Sequence, residues 1–219
     1  MENKFESRSP LIAADLEEQL KTLLGNLTLP VQLTCIADDG DKSRELGAFL
    51  NHLASLSEKV TCIYLSPGEK PGHDQAMDAS LLPAVGIASP GALPRMIFHG
   101  IPGGREISSF ASAMLTVGGA AKPLDKYTLK DIGKVRRPTT LQICVSLACQ
   151  HCAQLGFSAF RVAWENPQIQ AHVIDANLYP RLVEKYAIER VPLMIIDGTE
   201  LHPGGKTMAE LTGLLAKRK

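Results

Sequence analysis

Hydrophobic and polar positions follow two periods along this chain of 219 residues. Short apolar, β-branched runs predict buried strands, and runs with apolar residues every three or four positions predict amphipathic helices. The predicted strands cover residues 30–37, 60–65, 83–89, 94–100, 139–146, 169–175, 192–197 and 200–202. The predicted helices cover residues 10–27, 42–56, 104–117, 124–134, 153–164, 178–186 and 208–217. This order predicts the α/β class, with mixed sheets covered by helices.

Three stretches break this pattern. Residues 66–82 contain several prolines and glycines and have no clear period, so we expect a long loop there. Residues 118–123, Gly-Gly-Ala-Ala-Lys-Pro, have the composition of a linker. We therefore place a boundary between one unit over residues 10–119 and a second over 120–219. The polar residues 1–9 are expected to form a flexible N-terminus.

The two halves repeat short motifs in the same order, which favours duplication of one fold. A spacing of 110 residues separates one matched pair, Gln32 and Gln142. This spacing places Asp39 and Lys42 where the second half has Cys149 and Cys152. The other two matches are listed here: Pro102-Gly103-Gly104-Arg105 with Pro203-Gly204-Gly205-Lys206, and Pro83-Ala84-Val85 with Pro192-Leu193-Met194.

The second half contains a Cys-x-x-Cys motif, Cys149 to Cys152, where a predicted strand leads into a predicted helix. Amide groups and the dipole at a helix N-terminus stabilise the thiolate, which is the form that attacks a disulfide. We expect Cys149 to be the exposed, attacking sulfur and Cys152 to resolve the mixed disulfide. A protonated His151 would favour the thiolate further. Two structural cysteines, or half of a zinc site, are the alternative interpretation.

The other three cysteines, Cys35, Cys62 and Cys144, fall in predicted strands, where we expect them to be small buried hydrophobic side chains. Cys144 and the pair at 149 and 152 also have the spacing that opens a plant-type iron–sulfur ligand set. Strand and turn separate Cys144 from that pair, and no cysteine follows Cys152. The chain also has no Gly-x-Gly-x-x-Gly after a strand. We therefore expect no metal, flavin or nicotinamide cofactor.

Composition and charge narrow the class of partner. The chain has 23 basic and 23 acidic residues, so its charge does not point to nucleic acid or to an anionic membrane surface. No run of 18 apolar residues occurs, and the N-terminus lacks the apolar core of a signal peptide. Five cysteines, an odd number, fit a reducing compartment. We expect a cytoplasmic protein.

The Cys149-x-x-Cys152 motif at a helix start, with Val191-Pro192 before an apolar strand, resembles the thioredoxin and glutaredoxin fold. The tandem arrangement, with Gly118-Gly119 at the join, resembles the N-terminal domain of the flavoprotein component of bacterial alkyl hydroperoxide reductases. It is also similar to the two-unit protein disulfide oxidoreductases. The resemblance covers roughly residues 11–217 and implies two fused thioredoxin-like units, each with a mixed central sheet flanked by helices. Only the second unit carries the dithiol.

The resemblance also implies roles for particular residues. Pro192 would be cis, and its loop, with Val191, would face the cysteines and hold the substrate strand. Glu106 matches a glutamate of the first unit that is implicated in tuning the dithiol, and a solvated carboxylate in a helix first turn is its alternative. Electrons would pass from a flavoprotein of the thioredoxin-reductase type through the dithiol to a peroxiredoxin or another protein disulfide.

The spacer between the cysteines departs from the family. It is Gln150-His151, whereas the family usually has His-Asn, so the family's redox potential does not transfer to this chain. A disulfide oxidase or isomerase therefore remains open as an alternative to a reductase. So does a non-catalytic scaffold or a metal-binding protein.

Overall fold

The computed structural model describes residues 5–218, and their strands and helices alternate as the sequence predicts. The strands are β1 (Val31–Ile36), β2 (Val60–Leu65), β3 (Ala84–Ala88), β4 (Met96–His99), β5 (Thr139–Val145), β6 (Ile169–Asp175), β7 (Leu193–Ile196) and β8 (Glu200–Pro203). The α-helices are α1 (Ala14–Leu24), α2 (Asp41–Ser55), α3 (Pro71–Ala76), α4 (Ile107–Val117), α5 (Lys126–Ile132), α6 (Cys152–Glu165), α7 (Pro180–Lys185) and α8 (Met208–Leu215). Short 3₁₀ helices span Gly104–Glu106 and Ala176–Leu178.

The strands of residues 5–218 form one eight-stranded sheet in the order β2-β1-β3-β4-β6-β5-β7-β8. In each half the first strand pairs in parallel with the second strand and antiparallel with the third, which pairs antiparallel with the fourth. The predicted fold class is therefore confirmed: two thioredoxin-like units, each with its own mixed set of strands. The parallel pair of β4 with β6 joins the two sets into one continuous sheet.

Two histidines are buried where the units meet. His99 on β4 and His172 on β6 approach to 2.9 Å between Nε2 and Nδ1, and His99 Nδ1 lies 2.8 Å from the carbonyl oxygen of Leu81. A carbonyl only accepts hydrogen bonds, so His99 Nδ1 donates to Leu81. His172 Nδ1 must then donate to His99 Nε2. This chain of bonds requires the His99 ring to be neutral.

The long loop predicted over residues 66–82 is wrong in its middle, where α3 forms. Pro71 occupies the first position of this helix, a place that suits proline because its missing N–H has no partner there. The helix is too short to show a clear hydrophobic period. Its counterpart α7 also begins with a proline, Pro180, and each helix precedes a cis peptide bond, Leu82–Pro83 or Val191–Pro192.

The positions equivalent to the dithiol differ by one residue from the expectation. Helices α2 and α6 begin at Asp41 and Cys152, so Asp38 and Asp41, rather than Asp39 and Lys42, correspond to the cysteines. The connection between strand and helix is shorter in the first unit than in the second. A spacing taken from the strands therefore does not carry through into the helix.

The chain ends and the unit boundary complete the description. Phe5 packs against Tyr64 with ring centroids 4.9 Å apart, and Ser9 is buried. Residues 1–4 lie outside the described residues, and the flexible N-terminus over 1–9 stays a prediction. The boundary at residue 119 also stays a prediction; it falls in the connection between α4 and α5. Within residues 5–218 no helix is both long and apolar enough to cross a membrane.

Candidate active site

Cys149 and Cys152 form a disulfide, with their Cα atoms 5.5 Å apart, between the end of β5 and the start of α6. Cys152 is the first residue of α6 and is fully buried, whereas Cys149 lies in the preceding turn and is half-buried. A sulfur of another protein can therefore reach Cys149 far more easily than Cys152. This difference in exposure agrees with the order of attack expected from the sequence.

The local sequence explains why the disulfide lies at this point. Strand β5 is buried on both faces over its last residues, Ile143 to Val145, because it is a central strand covered by helices. Helix α6 packs its apolar face, including Leu155 and Phe160, against the sheet. The turn between them is closed by a hydrogen bond from the Cys149 amide to the Ser146 carbonyl, 2.9 Å long. The cysteines thus lie at the N-terminal end of the helix dipole, where a thiolate is stabilised.

The loop that carries Pro192 lies against the disulfide. The Val191–Pro192 bond is cis, as the resemblance implies, and the Val191 carbonyl oxygen lies 3.9 Å from Cys149 Sγ. Val191 is half-buried, so part of this loop is accessible beside the accessible sulfur.

Glu106 is fully buried, so the alternative of a solvated carboxylate is wrong. Its Oε2 accepts a hydrogen bond of 2.6 Å from Ser109 Oγ, and its Oε1 has no hydrogen-bond partner among residues 5–218. Burial raises the pKa of Glu106 to about 7, the bond from Ser109 opposes that rise, and the charge of Asp175 adds to it. Glu106 is therefore a carboxyl group that can take up or release a proton near neutral pH.

Glu106 lies against the helix that begins with Cys152. A Cβ atom on Gly156 would approach Glu106 Oε2 to 3.2 Å. Gly156 follows Cys152 by four residues, so the two positions share one face of α6, about 6 Å apart. The absence of a side chain at Gly156 leaves the space that the buried carboxyl group occupies.

The first Pro-Gly-Gly motif holds Glu106 in this place through its backbone. The Arg105 amide donates to the Leu147 carbonyl in the cysteine turn over 2.9 Å. Gly104 has φ +52°, and a Cβ there would lie 2.5 Å from the same carbonyl oxygen, so glycine is required. The second motif approaches the turn as well, since a Cβ on Gly205 would lie 3.8 Å from His151, which is exposed. The sequence revealed the motif as a repeat, whereas its contact with the cysteine turn required the structure.

The remaining cysteines are in strands, as predicted, but they differ in exposure. Cys35 and Cys144 are fully buried and Cys62 is half-buried. Burial raises the thiol pKa of Cys62 and Cys144 to about 12, and that of Cys35 is raised further. All three are therefore protonated and unreactive near neutral pH. The described residues include no group of three or more His, Cys, Asp or Glu side chains that could hold a metal ion.

Sequence reasoning missed Asp175, which ends β6 and is 4% exposed. It pairs in register with Val145, the last strand residue before the cysteine turn. A signal was present, because Asp175 and Asn177 follow a predicted strand at the edge of the sheet where the cysteines were expected. Carboxyl ends of parallel neighbouring strands lie side by side, so this pair could have been placed near the cysteines.

Comparison with known proteins agrees with this geometry. A family model described as a thioredoxin domain matches residues 139–216. The alkyl hydroperoxide reductase flavoprotein AhpF of Pseudomonas putida is 30% identical, over 93% of this chain and 37% of the relative. The chain therefore spans little more than a third of the length of that relative.

Solved structures extend the match to both units. The crystal structure of the NTD_N/C domain of alkyl hydroperoxide reductase AhpF from Enterococcus faecalis superimposes with a TM-score of 0.87 at 31% identity, covering 93% of this chain and 99% of that one. A protein disulfide oxidoreductase from Aeropyrum pernix has a TM-score of 0.82 at 16% identity, over 94% of this chain and 92% of that one, and shows the fold alone.

The thioredoxin fold and the disulfide at the helix start confirm the predicted class of protein, a thiol–disulfide oxidoreductase. The match to AhpF covers both units and nearly all of the solved domain. This chain therefore belongs to the family of the N-terminal, two-unit thioredoxin-like domains of the alkyl hydroperoxide reductase AhpF.

Proposed function

We propose that this chain is an electron relay, which takes two electrons from a flavoprotein dithiol and passes them to the disulfide of a peroxiredoxin. The observation that carries the proposal is the arrangement of the cysteines: a half-exposed Cys149 and a buried Cys152 share one disulfide beside the Pro192 loop. Membership in the AhpF family supports the kinds of donor and acceptor.

The proposed reaction proceeds in two steps. The Cys149 thiolate attacks one sulfur of the acceptor disulfide, forms a mixed disulfide and releases the other acceptor sulfur as a thiolate. Cys152 then loses its proton and attacks Cys149 Sγ, which forms the internal disulfide and releases the second acceptor sulfur. The acceptor gains two electrons and the dithiol is oxidised. The flavoprotein dithiol reduces it again by the same exchange in reverse.

The surrounding residues have proposed roles in this exchange. The Val191 carbonyl and the cis-Pro192 loop hold an extended segment of the acceptor beside Cys149, in the manner of an added β-strand. Glu106 takes the proton that Cys152 loses, because its carboxyl group lies against the same face of α6 and titrates near neutral pH. His151, if protonated, adds positive charge beside Cys149.

The first unit, which lacks a dithiol, serves in this proposal as scaffold and docking surface. The relay needs no cofactor of its own, since the disulfide itself carries the two electrons. The proposed donor is a flavoprotein resembling thioredoxin reductase, and the proposed location is the cytoplasm.

A redox titration tests the proposal. The protein is equilibrated in glutathione or dithiothreitol buffers, its thiols are trapped, and its intact mass is measured. We expect one two-electron couple with a midpoint between about −200 and −290 mV. The couple is lost in Cys149→Ser and Cys152→Ser and is retained in Cys62→Ser, the matched control. A far more oxidising midpoint indicates an oxidase or isomerase. No couple, or a bound metal in the native mass, indicates a scaffold or metal-binding protein.

The acceptor is tested separately by trapping. Cys152→Ser retains the attacking sulfur and lacks the resolving one, so we expect it to accumulate a mixed disulfide with an oxidised peroxiredoxin. Cys149→Ser is the control and forms none. If Cys152→Ser traps other disulfide proteins but no peroxiredoxin, the relay is right and the acceptor is wrong.

A further inference from the structure

Asp175 is a buried carboxyl group next to the site that the mechanism above does not use. It ends β6, beside the seam between the units, and its backbone pairs with Val145. The end of β4 approaches closely, since a Cβ on Gly100 would lie 3.5 Å from the Cβ of Asp175. Because Asp175 is only 4% exposed, water screens its charge poorly.

Hydrogen bonds connect Asp175 with the cysteine turn. Asp175 Oδ1 accepts from the amide of Asn177 over 3.2 Å and from Asn177 Nδ2 over 3.1 Å. The same Nδ2 lies 3.4 Å from Ser146 Oγ, and the Ser146 carbonyl accepts from the Cys149 amide. Asp175 thus orients Asn177, which contacts the residue on which the turn of Cys149 closes.

Charge connects Asp175 with Glu106. The charge of Asp175 adds to the rise in the pKa of Glu106, after the larger effect of burial. Burial raises the pKa of Asp175 itself, while its bonds from Asn177 and the charge of Lys42 on α2 oppose that rise. The remaining titratable group facing it is Tyr179, whose pKa is raised by burial and then by Asp175.

We propose that Asp175 is a positioning residue of the dithiol, which acts by its charge on Glu106 and through Asn177 and Ser146 on the turn of Cys149. When the internal disulfide closes, Cys152 gives its proton to the Glu106 carboxylate. An ionised Asp175 makes Glu106 hold that proton more tightly. This inference rests on the proposed function, since it concerns the same dithiol.

The variant Asp175→Asn separates charge from structure, because the amide oxygen still accepts the bonds from Asn177. We expect the pKa of Glu106, followed by the ¹³C signal of its carboxyl group, to fall by about 0.5 to 1 pH unit. The pH at which the slope of the midpoint potential against pH changes should fall with it. A purely structural role of Asp175 would move neither value.

Asn177→Ala is the matched variant, because it removes the contact with Ser146 and retains the charge of Asp175. We expect the titration of Glu106 to stay in place, while alkylation of reduced Cys149 by iodoacetamide slows by several-fold. Circular dichroism and hydrogen exchange check that both variants keep the fold.

The outcomes separate the two claims. A wild-type protein without a reversible couple overturns the proposed function. A wild-type couple, with Glu106 titrating in Asp175→Asn as in the wild type, overturns the inference alone. An unchanged rate of Cys149 alkylation in Asn177→Ala overturns the path through Ser146.

Discussion

At the scale of single residues, burial separates groups that the sequence presents as equals. Cys149 and Cys152 are three positions apart, but only the first is accessible. Glu106 occupies a first-turn position that is usually solvated, and here the carboxyl group is fully buried with one oxygen unpaired among residues 5–218. A buried carboxyl group of this kind costs stability when it ionises.

Glu106→Gln should therefore change how stability depends on pH. The pKa of Glu106 is raised from 4.5 to about 7, so the folded state holds this proton more tightly than the unfolded chain. Its contribution to stability is complete below pH 4.5 and is lost as the pH rises to about 7, a change on the order of 3 kcal/mol. Denaturant titrations at a series of pH values measure it. We expect Glu106→Gln to gain stability on the wild type as the pH rises, and an equal slope in both proteins would contradict the assignment.

At the scale of elements, the two units use one plan with different local contacts. Strands β2 and β6 have the predicted bounds, because each is a short apolar run with clear ends. Helix α3 was missed because six residues are too few to show a helical period. The Pro-Gly-Gly motifs were found as repeats, but their different surroundings were not evident. Gly104 meets the Leu147 carbonyl, whereas no atom of residues 5–218 lies within 4 Å of a Cβ on Gly204.

Alanine at the two glycines should separate these effects. Both have positive φ, +52° at Gly104 and +82° at Gly204, so both substitutions strain the backbone, by about 1 to 2 kcal/mol. Gly104→Ala must in addition displace the cysteine turn, so we expect it to cost more and to shift the midpoint potential. Gly204→Ala is the control, with strain alone. Unfolding in denaturant and the redox titration measure both, and equal losses would show that the contact with Leu147 is unimportant.

At the scale of the whole molecule, one sheet and one seam join the units. Strands β4 and β6 pair along the seam, α4 packs against α6, and Phe98 meets Phe110 edge-to-face at 6.3 Å. The buried pair of His99 and His172 crosses the same seam. Burial lowers the pKa of His99 to about 4, and it lowers the pKa of His172 well below 6.5, with the charge of His99 adding to the effect.

Acid should consequently destabilise both units together. The unfolded chain binds protons on these histidines below pH 6.5, and the folded protein resists them, so stability is complete above pH 6.5 and falls toward pH 4. For His99 the loss is on the order of 3 kcal/mol. We expect one cooperative thermal transition whose midpoint falls over this range, and a smaller fall in His172→Asn than in His151→Gln, the exposed control. Two separate transitions would contradict the coupling through the seam.

The sequence by itself determined the alternation of strands and helices, the duplication, and the place of the dithiol at a helix start. These features follow from local periodicity and from residues adjacent in the chain, so the order of residues is enough to predict them. Only the tertiary structure decided that the two sets of strands share one sheet and that Glu106 is buried against α6. It also decided that Asp175 lies beside the cysteine turn. Each of these depends on contacts between residues far apart in the chain, where burial and charge are set by neighbours that no local pattern specifies.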